Sequence, residues 1–354
     1  MIINETFAIG LMSGTSLDGI DLVYVYFKND DYKNFKIIHA ETISYSKEWK
    51  QLLQNAIFSD ELALQQLDVT YGRFLGEILN NFISNYKIVK IDFIASHGHT
   101  ILHEPAKGIT LQIGSGAEIA KITKQKVVCD FRTQDVQLGG QGAPLVPIGD
   151  ALLFSEYDFC LNLGGFSNVS YHKDSTRIAF DICPVNIVLN FYANKIGLEY
   201  DASGKIASEG NINEILLEKL NELEFYQQTP PKSLGLEWVQ KNIFPLIDEF
   251  ETDVPSILRT FVTHIALQIS KVIYKSDKVL FTGGGVFNTF LMDEIRQYSK
   301  AQIVLPPKEL IDFKEALIFA FLGLLKIRNE INCLQSVTGA SKDHSSGVIF
   351  NNIT

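Results

Sequence analysis

The sequence predicts an α/β protein built from two related domains, and three observations carry that reading. The chain has 354 residues, 46% of them hydrophobic, enough for two cores and long for one. Apolar runs of strand length alternate with segments of helical period, the pattern of helices layered on sheets. The order of elements, three strands and then helices alternating with strands, occurs twice. Each half also places a glycine turn after its first strand, at Gly14 and at Gly164.

In the first half, residues 7–12 and 21–27 are β-leaning runs separated by SGTSLDGI, which reads as a hairpin, and a third run follows at 36–45. Leu64, Leu67, Tyr71, Phe74, Ile78 and Phe82 then recur at three or four, predicting a helix over about 60–85. Strands at 90–95 and 109–113, a helix at 115–124 and a strand at 126–131 follow. The loop 132–149, rich in Gly and Pro, reads as the join between the halves. The second half gives strands at 158–163, 168–173 and 177–182, then helices at 185–196, 211–223 and 254–274. It closes with a strand at 278–282, a helix at 286–298, a strand at 302–305 and a helix at 314–327, while 225–237 is irregular. The expected domains are 1–131 and 132–327, with the segment from about 328 to 354 packing back on the first.

A formal net charge of −10 argues against a nucleic-acid or anionic-membrane partner, both of which need a positive field. A nucleotide stays possible, because backbone N–H groups and a metal ion can build a small phosphate site. The greasiest run, residues 316–325, is too short to span a bilayer. The first dozen residues lack a basic stretch and read as the approach to a strand, not a signal peptide. Cys129, Cys160, Cys183 and Cys333 show no zinc-ligand spacing and read mostly as reduced core residues. A soluble cytoplasmic protein is expected.

Chemistry concentrates in three glycine-rich turns that follow strands: MSGTSLDG at 12–19, NLGGFSN at 162–168 and TGGGVFN at 282–288. Glycines admit a ligand close to the backbone, and the hydroxyls and amides beside them can bond phosphate oxygens. None is a P-loop, no GxGxxG follows a strand, and each alone could be a plain tight turn. The His97-Gly98-His99-Thr100 stretch, with His103 and Glu104 after it, has the look of a zinc site. Asp181 ends a strand-like run before a helix, where an aspartate often serves only as a cap. Glu315 lies in the last helix, where an exposed charge is ordinary.

A phosphate hairpin, a second such turn and a late Gly-Gly-Gly turn together resemble the actin/hexokinase/heat-shock-protein superfamily. Within it, GLMSGTSLDGID, SHGHTILHEP, TLQIG, DFRTQDVQLGGQGAPLVP, LNLGGFSNVS, PPKSLG, GGGVFN and VTGA resemble, in order, the motifs of the anhydro-N-acetylmuramic acid kinases. The resemblance implies two ribonuclease H-like domains with a cleft between them, a small-molecule anhydrosugar and ATP as substrates, Mg²⁺ with ligands unknown, and a homodimer. It implies that Ser13, Gly14, Thr15, Ser16, Leu17, Asp18, Gly19 and Ile20 hold the ATP phosphates, joined by Gly164 and Gly165. Gly283, Gly284, Gly285 and Asn288 would lie by the adenosine, and His97, Thr100 and Asn186 would line the sugar pocket. Asp181 would be the catalytic carboxylate and Glu315 a second acidic residue near the anhydro bridge, with the histidines on sugar and not on metal. Departures from the pattern are Cys183 and Val185 for glycines, His99 for glutamine, and Leu102 and Leu236 for arginines. They leave open a kinase of another anhydrosugar, such as levoglucosan. A non-catalytic actin-like nucleotide-binding protein is the reading from a different class.

Overall fold

The computed structural model describes residues 5–14, 17–273 and 278–351. It divides into two compact units, Met1–Phe154 with Phe313–Thr354, and Ser155–Asp312. The divisions thus fall at 154/155 and 312/313, not at the expected 131/132 and 327/328. The stretch 132–149 is not a simple join. It contains the helix Thr133–Gln137 and the start of the helix Val146–Leu153, both of unit 1, with Asp135 and Val136 buried.

Unit 1 is built on the strands β1 (Glu5–Ser13), β2 (Gly19–Lys28), β3 (Asp31–Ser44), β4 (Phe93–Glu104), β5 (Ile109–Ile113) and β6 (Val127–Cys129). Unit 2 holds β7 (Phe159–Leu163), β8 (Phe166–Lys173), β9 (Thr176–Pro184), β10 (Lys278–Thr282) and β11 (Gln302–Val304), and β12 (Val348–Phe350) returns to unit 1. The unit 1 sheet runs β12-β6-β4-β1-β2-β3, with β5 on β4. β1, β2 and β3 form an antiparallel meander, and β4 and β6 extend it in parallel from β1. Unit 2 repeats the plan as β11-β10-β7-β8-β9, again three antiparallel strands continued by two parallel ones. That shared order is the ribonuclease H-like pattern of the actin/hexokinase type.

The central strands of unit 1 are buried in nearly unbroken runs, Ala8–Leu11 in β1 and Phe93–Ala95 in β4, as strands covered on both faces should be. The helix Glu61–Asn85 starts at Asp60, whose carboxylate accepts the Ala63 N–H at 2.8 Å. It buries Leu64, Tyr71, Leu75, Ile78, Leu79 and Phe82 against the sheet core, each contributing about 1.5–3 kcal/mol. The helix Lys308–Ile327 lies close against β1. A Cβ on Gly10 would stand 2.1 Å from the Ala316 carbonyl oxygen, so only glycine permits the contact. This close approach fixes the height of Glu315, one residue before Ala316, over the sheet.

In unit 2 the helix Val254–Val272, capped by Asp253, lays Ile257, Leu258, Phe261, Val262, Ile265 and Ile269 into the core beside β7, β9 and β10.

Candidate active site

In the first turn, Ser13 and Ile20 are the closing pair of the β1–β2 hairpin, and the Leu17 N–H bonds the Gly14 carbonyl at 3.3 Å. Ile20 and Leu17 bury their side chains in the unit 1 core, so each can offer a ligand only its backbone. Leu17 sits at φ 59°, a left-handed conformation uncommon outside glycine. Gly14 and Gly19 are half-buried and Asp18 is exposed; Thr15 and Ser16 lie outside the described residues.

Ser13 is 1% exposed and its hydroxyl is fully engaged. It bonds the Tyr45 hydroxyl at 2.6 Å and His99 Nδ1 at 3.0 Å, and accepts from the Tyr71 hydroxyl at 3.0 Å. Tyr45 and Tyr71 also bond each other. Burial raises both phenol pKa values and lowers His99 to about 4, so the network is uncharged at neutral pH. The Ser13 side chain therefore braces the turn from beneath.

His97 is buried, and its Nε2 accepts from Arg132 Nε at 3.0 Å. Its Nδ1–H then donates to the Gly98 carbonyl at 2.9 Å. Burial and the neighbouring guanidinium hold its pKa well below the usual value, so it is neutral. Both ring nitrogens of His97 are thus spent on protein. Among the described residues, His97, His99 and His103 join no group of three metal-capable side chains. Thr100, half-buried, accepts from Gln112 Nε2 at 3.3 Å.

Arg132 also donates to the Gly142 carbonyl at 2.6 Å, and burial lowers its pKa to about 10, which leaves it charged. Glu315 lies within its field. The Glu315 side chain is reached by solvent, yet dense surroundings raise its pKa, with Asp21 adding to the shift and Arg132 and Lys314 opposing it. Lys314 pairs with Asp150 at 2.7 Å, both nearly buried. Asp21 accepts from Thr42 Oγ1 at 2.6 Å. Sequence reasoning did not name Arg132, Asp21, Tyr45 or Tyr71 as site residues, Tyr71 entering only as part of a helix period. The first two stand inside quoted motifs, but the tyrosines come from segments far apart in sequence.

In unit 2, Asp181 is not at the end of its strand, because β9 continues three residues further to Pro184. Nor does it cap the following helix, Asn186–Asn194, where Val185 occupies the cap position without a side-chain bond. The carbonyls of Gly164 and Gly165 instead receive the N–H groups of Val185, Asn186 and Ile187 at 2.8–3.3 Å. The second turn is thereby stitched to the strand–helix junction, and Asn186 sits beside it. Cys183 and Val185, the family's glycine positions, are fully buried, and Val185 keeps a negative φ of −131°.

Asp181 pairs with Asn168 next to a register shift in the β8–β9 ladder. Its N–H donates to the Lys232 carbonyl at 3.1 Å and its Oδ2 accepts the Leu234 N–H at 2.8 Å. Asp181 thus ties the PPKSLG segment to the edge strand β9. Burial raises the Asp181 pKa and the Leu234 N–H opposes the rise. A half-buried carboxylate made more basic than usual can accept a proton from water.

The third turn divides by role. Gly283 adopts φ 84°, and a Cβ there would stand 2.4 Å from Asn162 Oδ1. A Cβ on Gly285 would press on Leu163 at 2.8 Å. Gly284 is exposed and faces open space. Asn288 caps the helix Thr289–Tyr298 by accepting the Leu291 N–H at 3.0 Å, so its side-chain oxygen is committed.

A doubled ribonuclease H-like sheet, with a glycine turn at the first hairpin of each copy, defines the two-domain α/β class to which actin and hexokinase belong. The family model for anhydro-N-acetylmuramic acid kinase matches residues 6–352. The chain belongs to that family. Among its relatives, the anhydro-N-acetylmuramic acid kinase of Clostridioides difficile is 33% identical, covering 98% of each chain. That of Legionella pneumophila (strain Lens) is 34% identical over 97% of each. A ligand-bound xylulose kinase from Lactobacillus acidophilus is a structural match at 12% identity and a TM-score of 0.44, covering 90% of this chain and 89% of that one. That score is too low to bear on function.

Proposed function

We propose that this kinase uses ATP and water to open 1,6-anhydro-N-acetylmuramic acid, releasing N-acetylmuramic acid 6-phosphate and ADP. Water adds at the anomeric carbon, the bridging oxygen leaves that carbon, and the same oxygen takes the γ-phosphoryl group. The observation that carries this reading is the family match across nearly the whole chain.

Asp181 is the base that takes the proton of the attacking water, and its raised pKa suits the task. Glu315 is the second acidic residue, next to the bridging oxygen, with its charge offset by Arg132 and Lys314. The family motifs assign His97, Thr100 and Asn186 to the sugar, His97 by shape alone because both its ring nitrogens are bonded to protein. The family motifs assign phosphate to the first turn and to Gly165, the Gly164 N–H being bonded already to the Phe166 carbonyl at 3.1 Å, and Gly284 has room beside it for the nucleoside. Mg²⁺, when bound, offsets charge on the transferring group. Asp18 and Asp21 would supply the hard carboxylate oxygens that such an ion takes, fitting a cation that keeps most of its waters.

The protein works as a cytoplasmic homodimer in this proposal. Among the described residues no helix is long and apolar enough to cross a membrane. ADP release should be measured with 1,6-anhydro-N-acetylmuramic acid, levoglucosan and plain N-acetylmuramic acid. Release with the first alone is expected. A preference for levoglucosan would assign another substrate, and no release with any sugar would favour a nucleotide-binding role without catalysis.

A further inference from the structure

Three side chains that the reaction does not use converge inside unit 1. Asp135 comes from the helix Thr133–Gln137, and Cys333 and His344 come from the segment after the helix Lys308–Ile327. One donor atom from each lies within 4.8 Å of the other two. Their exposures are 0%, 1% and 5%, so the group is sealed from bulk water. We propose that Asp135, Cys333 and His344 form a zinc-binding site.

The backbone places two of the donors side by side. Cys333 and His344 are an antiparallel bridge pair that exchanges both N–H···O bonds at 3.1 Å, and residues directly opposite in such a pair project to the same side. The histidine is also set in the tautomer a metal requires. Its Nδ1–H donates to the Lys342 carbonyl at 3.1 Å, which leaves Nε2 facing Asp135 Oδ1, 3.5 Å away. That Nε2 is buried and, among the described residues, has no hydrogen-bond partner. Metal-bound histidines usually hold their second ring nitrogen in this way.

The donor set fits zinc in kind and in charge. A thiolate, an imidazole and a carboxylate are its ordinary ligands. One thiolate and one carboxylate neutralise a divalent ion, which removes most of the cost of burying it. Without metal, the Cys333 thiol donates to Asp135 Oδ1 at 3.0 Å, and burial with the adjacent carboxylate keeps it protonated. On binding, zinc takes the sulfur lone pair, the S–H bond breaks, and the proton leaves to solvent. Asp135 remains oriented by the Gly142 N–H on Oδ2 at 2.7 Å and the Thr338 hydroxyl on Oδ1 at 2.7 Å. Arg132, the nearby cation, is already bonded to His97 and Gly142. The ion would tie the chain's last segment to the one that carries Arg132.

Full-length protein dialysed against a chelator should be titrated with Co²⁺ and then with Zn²⁺. A thiolate-to-cobalt charge-transfer band saturating at one equivalent is expected, with one proton released per zinc and a higher melting temperature. Cys333→Ser should abolish the band while Cys129→Ser keeps it, and His344→Ala should lose the zinc-dependent rise in melting temperature. A folded wild-type protein that shows no such band, or a band that survives in Cys333→Ser, would overturn the site.

Discussion

Asp181→Asn isolates the proposed base with little change of shape. Asparagine keeps an oxygen for the Leu234 N–H, which Asp181 Oδ2 accepts at 2.8 Å, so the PPKSLG segment should stay in place. Exchanging a charged acceptor for a neutral one costs about 1 kcal/mol. A second effect runs the other way. Burial holds the folded pKa of Asp181 above its unfolded value, so its stabilising contribution exists at low pH and is lost as pH rises through the folded pKa. At neutral pH the ionised carboxylate therefore weakens the fold, and asparagine relieves that. The variant should melt within a few degrees of the wild type. Catalysis responds differently, because the amide cannot take a proton from water. General-base catalysis is typically worth about 10²–10⁴-fold, or roughly 3–5 kcal/mol of barrier. Turnover in a coupled ADP-release assay should fall at least about a hundredfold, while calorimetry shows ATP and sugar binding retained. Near-normal turnover in a folded variant would refute the assignment.

Other outcomes follow from the same geometry. The acid limb of the wild-type rate profile should lie above the ordinary aspartate range near about 3.9, since Asp181 must be ionised to act; a limb at or below that range would contradict its raised pKa. Gly284→Val should weaken ATP binding by calorimetry with an unchanged melting temperature. Gly283→Ala should destabilise the fold, because its φ of 84° and the nearby Asn162 leave no room for a Cβ. Ser13→Ala should cost about 1–3 kcal/mol in denaturant unfolding by leaving buried partners short of a bond. His99 has its pKa lowered to about 4, so its neutral form stabilises the fold above about pH 6.5, and that contribution is lost as pH falls from there through the folded value. His99→Gln should remove roughly 3 kcal/mol of acid sensitivity between those two pH values.

Much of this molecule is legible in its sequence because the signals are local. SGTSLDG between two β-rich runs specifies the first hairpin, and the spacing of Leu64 to Phe82 specifies the long helix with bounds good to a residue. Strand β5 and strand β10 fall where alternation and flanking glycines put them. The misses are long-range or short. β4 runs on to Glu104 because Gly98, at φ 72°, lets a polar His-Gly-His stretch continue a buried strand. The two helices within 132–153 are too short for periodicity to show. β12 pairs with β6 across more than two hundred residues, which no local pattern encodes. At the site, motif residues could be named, but not which oxygens and nitrogens were already spoken for. Ser13 and Asn288 are committed to the protein, a fact that belongs to the fold and not to the motif.

The central claim is that water opens an anhydro bridge whose own oxygen then takes the phosphoryl group. Turnover of 1,6-anhydro-N-acetylmuramic acid and ATP in oxygen-18 water, followed by mass spectrometry of the products, tests it most directly. The account predicts sugar 6-phosphate carrying one label at the anomeric hydroxyl and none in its phosphate. Label in the phosphate, or ADP release that leaves the anhydrosugar intact, would contradict it.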